Sequence, residues 1–211
     1  MDQAAAQTVR AATPSGSVWG DSGTLISLST TAITNDNASS TTGSFSSVRG
    51  TQARSSGLLY FEVKFLSISS PSLNGIGMMD DATSAGASMD NLFSSFVNTG
   101  GAVQFNGHHN GNGNGFNGPD LSGGGWTINP NDIMGVAADF TNGFGYLNLM
   151  GSYLNGGDPS SGPTGTGAFL IGSLAAARPA VILHGNTLAS AQLLTTGAAL
   201  SFLPSGYSPW G

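Results

Sequence analysis

Cysteine is absent from this chain, which excludes disulfide staples and thiolate metal sites and leaves durability to packing or assembly. Charge is scarce. Only 8% of residues are charged, with one glutamate, Glu62, and one lysine, Lys64, where an ordinary soluble domain carries ~25%. Helices in water draw on Glu, Lys, Gln, Arg, Leu and Ala, so a helical fold lacks most of its materials here. The five basic residues, Arg10, Arg49, Arg54, Lys64 and Arg178, are scattered, the net charge is -6 and the pI is near 4.5. With no basic stripe to meet phosphates, no nucleic-acid partner is expected. No apolar run reaches the ~18 residues of a membrane-spanning helix, so no membrane insertion is expected. Asp2 stands where a secretory leader carries basic residues, and a product made soluble in the cytoplasm is expected.

Glycine, serine, threonine and asparagine fill the space that charge leaves, at about 45% of the chain, a composition that also describes linkers. Apolar content argues the other way: 39% hydrophobic residues, with 11 Phe, 3 Trp and 4 Tyr, can bury a core in a domain of this size. The 211 residues suit one large domain with an arm. Residues 1–17 are Ala/Gln/Thr-rich and broken by Pro14-Ser15-Gly16, reading as a flexible or docking arm, with the domain over 18–211.

Period-two alternation then fixes the class. Across residues 58–65, Leu59, Phe61, Val63 and Phe65 share one face. Tyr60, Glu62 and Lys64 share the other, read as a solvated or pairing face on which Glu62 and Lys64 come within reach of a salt bridge. Residues 133–140 and 144–149 flank Thr141-Asn142-Gly143, a hairpin whose Asn-Gly favours a type I′ turn. Further strands are expected at 25–30, 74–79, 92–97, 102–105, 168–171, 180–184, 191–194 and 198–203. Many short strands at this spacing mean an all-β sandwich or barrel.

An ordered set of motifs sharpens this. Ser47-Val48-Arg49-Gly50 followed by Ser56-Gly57-Leu58-Leu59-Tyr60-Phe61-Glu62-Val63 resembles the "sGkwYFEv" opening of SPRY domains. Asn74-Gly75-Ile76-Gly77-Met78 is similar to the family's "iGva" strand, and Asn131-Asp132-Ile133-Met134-Gly135-Val136-Ala137-Ala138-Asp139 to its "GDvigvalD". The stretch from Tyr153 to Gly162 resembles a version common in bacteriophage virion proteins, and Arg178-Pro179-Ala180-Val181 and Leu203-Pro204-Ser205-Gly206-Tyr207 complete the order. Over residues 20–211 the resemblance implies a concanavalin A-like jelly roll, an antiparallel two-sheet β-sandwich. It departs from the family where Asn131 replaces the glycine of "GDvig" and where Met150-Gly151 replaces Asn-Gly. Family members bind proteins or peptides through loops at one end, but these motifs carry no binding residue across.

The most unusual segment, residues 107–118, reads as a loop. Asn110, Asn112, Asn114 and Gly115 mimic half of a calcium loop, but Leu121 stands where a bidentate Glu is required and amides replace the acids, so no metal is expected. Neighbouring His108 and His109 diverge in extended backbone, which weakens a shared metal site. As a contact surface, His108, His109, Asn110, Asn112, Asn114, Phe116 and Trp126 offer amides, close backbone approach and stacking area for a glycan or a neighbouring subunit. Hydrolysis of glycosides needs two opposed carboxylates. No such pair stands out: Asp80-Asp81 reads as a turn, no Gly-x-Ser-x-Gly elbow occurs, and His184, a candidate base after Val181-Ile182-Leu183, reads first as a hydrogen-bonded strand histidine.

The expectation is a non-enzymatic bacteriophage structural protein without cofactors, displayed on the virion as a tail fibre or tip component that attaches to the host. A capsid-surface decoration or head-fibre protein is the alternative, and a glycan-active hydrolase ranks below both. Expected partners are other virion proteins, a host-surface glycan or protein, and copies of itself in a homo-oligomer, with arm 1–17 as the attachment segment.

Overall fold

The computed structural model describes residues 17–22, 26–28, 32–35, 45–68, 74–81, 102–106, 108–109, 126–171, 174–184 and 189–211. In chain order the strands are β1 (Trp19–Ser22), β2 (Ile26–Leu28), β3 (Ala32–Asn35), β4 (Phe45–Gly50), β5 (Leu58–Ser67) and β6 (Gly75–Asp80). Then come β7 (Ala102–Asn106), β8 (His108–His109), β9 (Trp126–Thr127), β10 (Ile133–Asp139), β11 (Phe144–Leu149) and β12 (Ser152–Tyr153). The series ends with β13 (Phe169–Leu170), β14 (Ala177–His184), β15 (Ala189–Leu194) and β16 (Ser208–Pro209), with short 3-10 turns at Leu154–Gly156 and Pro159–Thr164.

Two antiparallel sheets result, in the order β1-β4-β14-β6-β7 and β12-β11-β10-β5-β15-β3-β2. Their facing sides share one core, because alternation sends every second side chain inward. The first sheet contributes Trp19, Val48, Ile76, Met78, Val181 and Leu183, and the second Phe61, Val63, Phe65, Met134, Val136 and Leu147. Trp210 joins them fully buried, its ring edge-on to Phe61 at 5.4 Å between centroids, with its indole N–H donating to the Gln52 carbonyl (3.0 Å). β14 and β15 each run between two strands that precede them in the chain, β14 between β4 and β6, β15 between β5 and β3. Pro179 in β14 lacks an N–H, yet its place is safe. It falls between the Arg54–Ala177 bridge and the Ala180–Arg49 pair, where the ladder to β4 is interrupted.

The outer face of the second sheet is not solvated. Tyr60, Ala137 and Tyr146 pack there against Ala168 and Tyr207, with Leu200, Phe202 and Tyr153 half-buried around them. Residues 153–168 and 196–207 therefore form a third layer. The expected strand at 198–203 is overturned: these residues are turns and bends, and the amides of Ser201 and Phe202 go to the Glu62 carboxylate in place of a ladder. Beyond them β16 lies parallel to β5 at Ser208↔Leu59 and Pro209↔Tyr60, on the stretch of β5 that β15 leaves unpaired.

The β10–β11 hairpin forms, but its turn is not type I′. Asp139 pairs with Phe144, leaving four loop residues of which only Gly143 has positive φ. The cause is Asp139, whose Oδ1 accepts the amides of Thr141 (2.9 Å) and Asn142 (3.0 Å) and so folds an Asx turn first. The type I′ signature lies instead at Met150-Gly151, between Leu149 and its partner Ser152, where φ is 52° and 83°. Residues 1–16 of the expected arm and the expected strand at 92–97 lie outside the described residues. Ser17 is already built in: it is buried, and its hydroxyl accepts the Gln52 amide.

Candidate functional site

Strands β8 and β9 form a two-stranded ladder separate from both sheets, with His108 opposite Thr127 and His109 opposite Trp126. This brings three of the expected contact residues, His108, His109 and Trp126, to one place. Asn110, Asn112, Asn114 and Phe116 lie outside the described residues. The expectation of an unbroken loop from 107 needs correction, since His108 and His109 are strand residues. Among the described residues no three His, Asp or Glu side chains gather as a metal-binding group.

Of the solvated or pairing face expected for it, the solvated reading fails for Glu62, which is fully buried on β5. Its Oε1 accepts the Tyr60 hydroxyl (3.1 Å) and the Phe202 amide (2.7 Å), and its Oε2 accepts the Ser201 amide (2.9 Å). Lys64 is not among these partners, because the third layer covers Glu62 and its backbone amides reach the carboxylate first. Asn148 on β11 extends the network, donating from Nδ2 to the Tyr60 hydroxyl (2.9 Å) while its Oδ1 takes the Gly151 amide (3.3 Å). Gly135 on β10, directly between Glu62 and Asn148, makes room for this: a Cβ there would lie 2.0 Å from the Tyr60 hydroxyl oxygen. Burial, with the Glu62 charge alongside, pushes the Tyr60 phenol well above its ordinary value. The Tyr153 hydroxyl beside this cluster is buried without a hydrogen-bond partner among the described residues, and burial pushes it up to about 12.

At the β10–β11 turn the third layer leaves a cleft of about 250 Å³ lined by Leu58, Asp139, Thr141, Asn142, Ser205 and Tyr207, among others. Asp139 is 1% exposed, and its carboxylate holds Asn142 through the side-chain amide as well (2.6 Å). Tyr207 reaches across to the Pro159 carbonyl (3.3 Å). Asp158 next to the cleft is fully exposed, and the hydroxyl and amide of Ser160 hold its carboxyl below the usual range. A glycosidase acid needs a raised value, so this carboxylate is suited to capping the turn and not to donating a proton. Sequence spacing gives no warning of the cleft, since its walls come from residues about 150 positions apart.

No family model matches the chain, and no curated protein does. Among solved structures it is similar to the SPRY domain of human HERC1, with a TM-score of 0.56 at 10% identity over 83% of this chain and 96% of that one. A second human SPRY domain matches at a TM-score of 0.48 and 15% identity, covering 81% of this chain and 94% of that one. The fold is SPRY-like. At such identity the likeness carries the architecture and no binding residue.

In the SPRY-like frame, the two departures noted in the motifs have a common form. Asn131 has φ 74° and Met150 φ 52°, so non-glycine residues take the left-handed region at both. Asparagine tolerates that region well. Met150 does not, and its sulfur is fixed in place by the Ile133 amide, which donates to it at 3.2 Å. Three arginines are structural: Arg49 donates to the carbonyls of Asp80 and Asp81, Arg54 to that of Trp210, and Arg178 to those of Gly50 and Thr51 while ion-pairing with Asp81.

Proposed function

We propose that this chain is a non-enzymatic display module of a virion, a tail fibre or tip component that attaches to the host surface through loop contacts. The observation that carries the reading is the β8–β9 ladder, a separate two-stranded pairing that sets His109 opposite Trp126 at the two ends of the asparagine- and glycine-rich segment. Support comes also from the fold. A SPRY-like sandwich is a rigid scaffold on which end segments vary freely, and Glu62, the one glutamate, is spent on holding the third layer. The likeness of residues 153–162 to virion proteins of bacteriophages supplies the setting. Partners would be other virion proteins and further copies of the chain, with weak single contacts multiplied by copy number.

The test replaces residues 110–125 by a short Gly-Ser linker and compares host-cell binding of the purified proteins, with gold labelling of assembled particles to locate the chain. Loss of cell binding with an intact thermal transition supports the reading. Unchanged binding removes the segment from the contact surface, and label on the capsid in place of the tail makes the chain a decoration protein. Polysaccharide shortened on incubation would make it a hydrolase.

A further inference from the structure

We propose that the cleft at the β10–β11 turn is a subsite for a single neutral sugar ring, an inference that rests on the attachment reading above and names the chemistry one part of it would recognise. Size is the first ground. At about 250 Å³ the cleft falls just below the ~300–1,000 Å³ that encloses drug-sized ligands, so one ring fills it and any further ring of a longer glycan lies outside it.

Unused hydrogen-bonding capacity is the second. Asn142 commits one side-chain hydrogen to Asp139, which leaves its other hydrogen and its carbonyl oxygen for a ligand. Oδ1 of Asp139 is filled by the amides of Thr141 and Asn142, while Oδ2, which takes only the Asn142 side chain, retains one acceptor site. The hydroxyls of Thr141 and Ser205 have no partner among the described residues, and the Tyr207 oxygen, having donated to Pro159, still accepts. Donors and acceptors alternating around a small space match vicinal hydroxyls, which need both at once. Leu58 and the Tyr207 ring supply apolar surface for the C–H face of a pyranose.

Charge and rigidity settle the rest. Among the described residues no cationic side chain lines the cleft, Asp139 is inside it and Asp158 adjoins the lining Pro159, so an anionic sugar meets repulsion that none of them offsets. The walls are preset. Asp139 ties down its own turn, Asp158 caps the next by accepting the Ser160 amide, and the Tyr207 bond links the two sides, so little ordering is left for a ligand to induce.

The experiment titrates the full chain with methyl glycosides of neutral hexoses, with N-acetylneuraminic acid and with a short neutral peptide, following backbone amide resonances. Ser205→Phe fills the cleft from an exposed position, Thr141→Val removes one hydroxyl, and the 110–125 replacement leaves the cleft in place. A neutral glycoside should shift the amides of 139–142 and 205–207 with millimolar affinity, and Ser205→Phe should weaken it at least tenfold, about 1.4 kcal/mol. The 110–125 replacement should bind it as the parent does. Absence of any shift at 139–142, equal affinity in Ser205→Phe, or preferential binding of the acidic sugar or the peptide there overturns the proposal. Cell binding is read separately: a chain that takes the glycoside in the cleft but binds no host cell keeps the subsite and loses the attachment reading.

Discussion

Substituting Glu62 by glutamine preserves its volume and removes its charge from a site with no exposure, so it isolates what the carboxylate contributes. Three donors converge on it, the Tyr60 hydroxyl and the amides of Ser201 and Phe202. Hydrogen bonds to a charged acceptor contribute ~1.5–3 kcal/mol and neutral ones ~0.5–1.5, so each buried bond loses about 1 kcal/mol on neutralisation. Ser201 is exposed and can turn to water, which leaves two bonds to count. The amide group of glutamine also presents hydrogens where only donors face it. Together these give about 2–3 kcal/mol for Glu62→Gln, and about 4 kcal/mol for Glu62→Ala, which strands the Tyr60 hydroxyl beside a cavity. Urea unfolding followed by tryptophan fluorescence measures both, the midpoint moving at constant slope. Hydrogen exchange locates the damage, with the amides of Ser201 and Phe202 losing protection before those of β10. A Glu62→Gln protein within about 0.5 kcal/mol of the parent would refute the assignment of Glu62 as the anchor of the third layer.

Gly135→Ala drives a methyl into the Tyr60 hydroxyl and Asn148 amide; a loss of about 3 kcal/mol or more in the same unfolding assay is expected, and Gly135→Ala combined with Tyr60→Phe should recover part of it. Tyr153→Phe removes a buried hydroxyl that has no partner among the described residues and should stabilise by about 1 kcal/mol, whereas Tyr60→Phe destabilises. Because Tyr153 is pushed up to about 12 from 10.0, the folded state keeps its proton while the unfolded chain gives it up. Its contribution is therefore whole below pH 10 and lost as pH rises toward 12, and Tyr153→Phe should flatten that alkaline decline in thermal midpoint. Met150→Asn relieves a left-handed methionine and should raise stability by up to about 1 kcal/mol, less what the Ile133 contact with sulfur contributes.

The sandwich was legible because β5 alternates Leu59, Phe61, Val63 and Phe65 with Tyr60, Glu62 and Lys64, and a pleated strand converts that directly into two faces. What alternation cannot say is what covers the second face. Tyr60 and Glu62 look like surface residues in a list of side chains; they are interior because residues 196–207, more than 130 positions later, fold over them. The same limit explains the missed cleft, assembled from Leu58, the β10–β11 turn and Tyr207. The turn at Asn142-Gly143 misled for a local reason: Asp139, three residues before Asn142, offers a carboxylate that competes with the type I′ geometry. For the contact surface, the pairing of His109 with Trp126 depends on β8 and β9 closing 16 intervening residues, which a short two-residue strand does not announce.

The insertion of β14 and β15 between older strands governs how this molecule can be made. A ribosome that has delivered residues up to β13 has released both halves of each sheet with a slot open between them, so the nascent chain carries unpaired edges until the last fifth of the sequence arrives. Contacts of such long range make folding slow, and messages cut short before β14 should yield sticky, unfolded products. Conversely, a synthetic peptide spanning β14 to β16 is the natural complement to a fragment that stops before it, a two-piece version of the protein that would assemble only when both pieces are present.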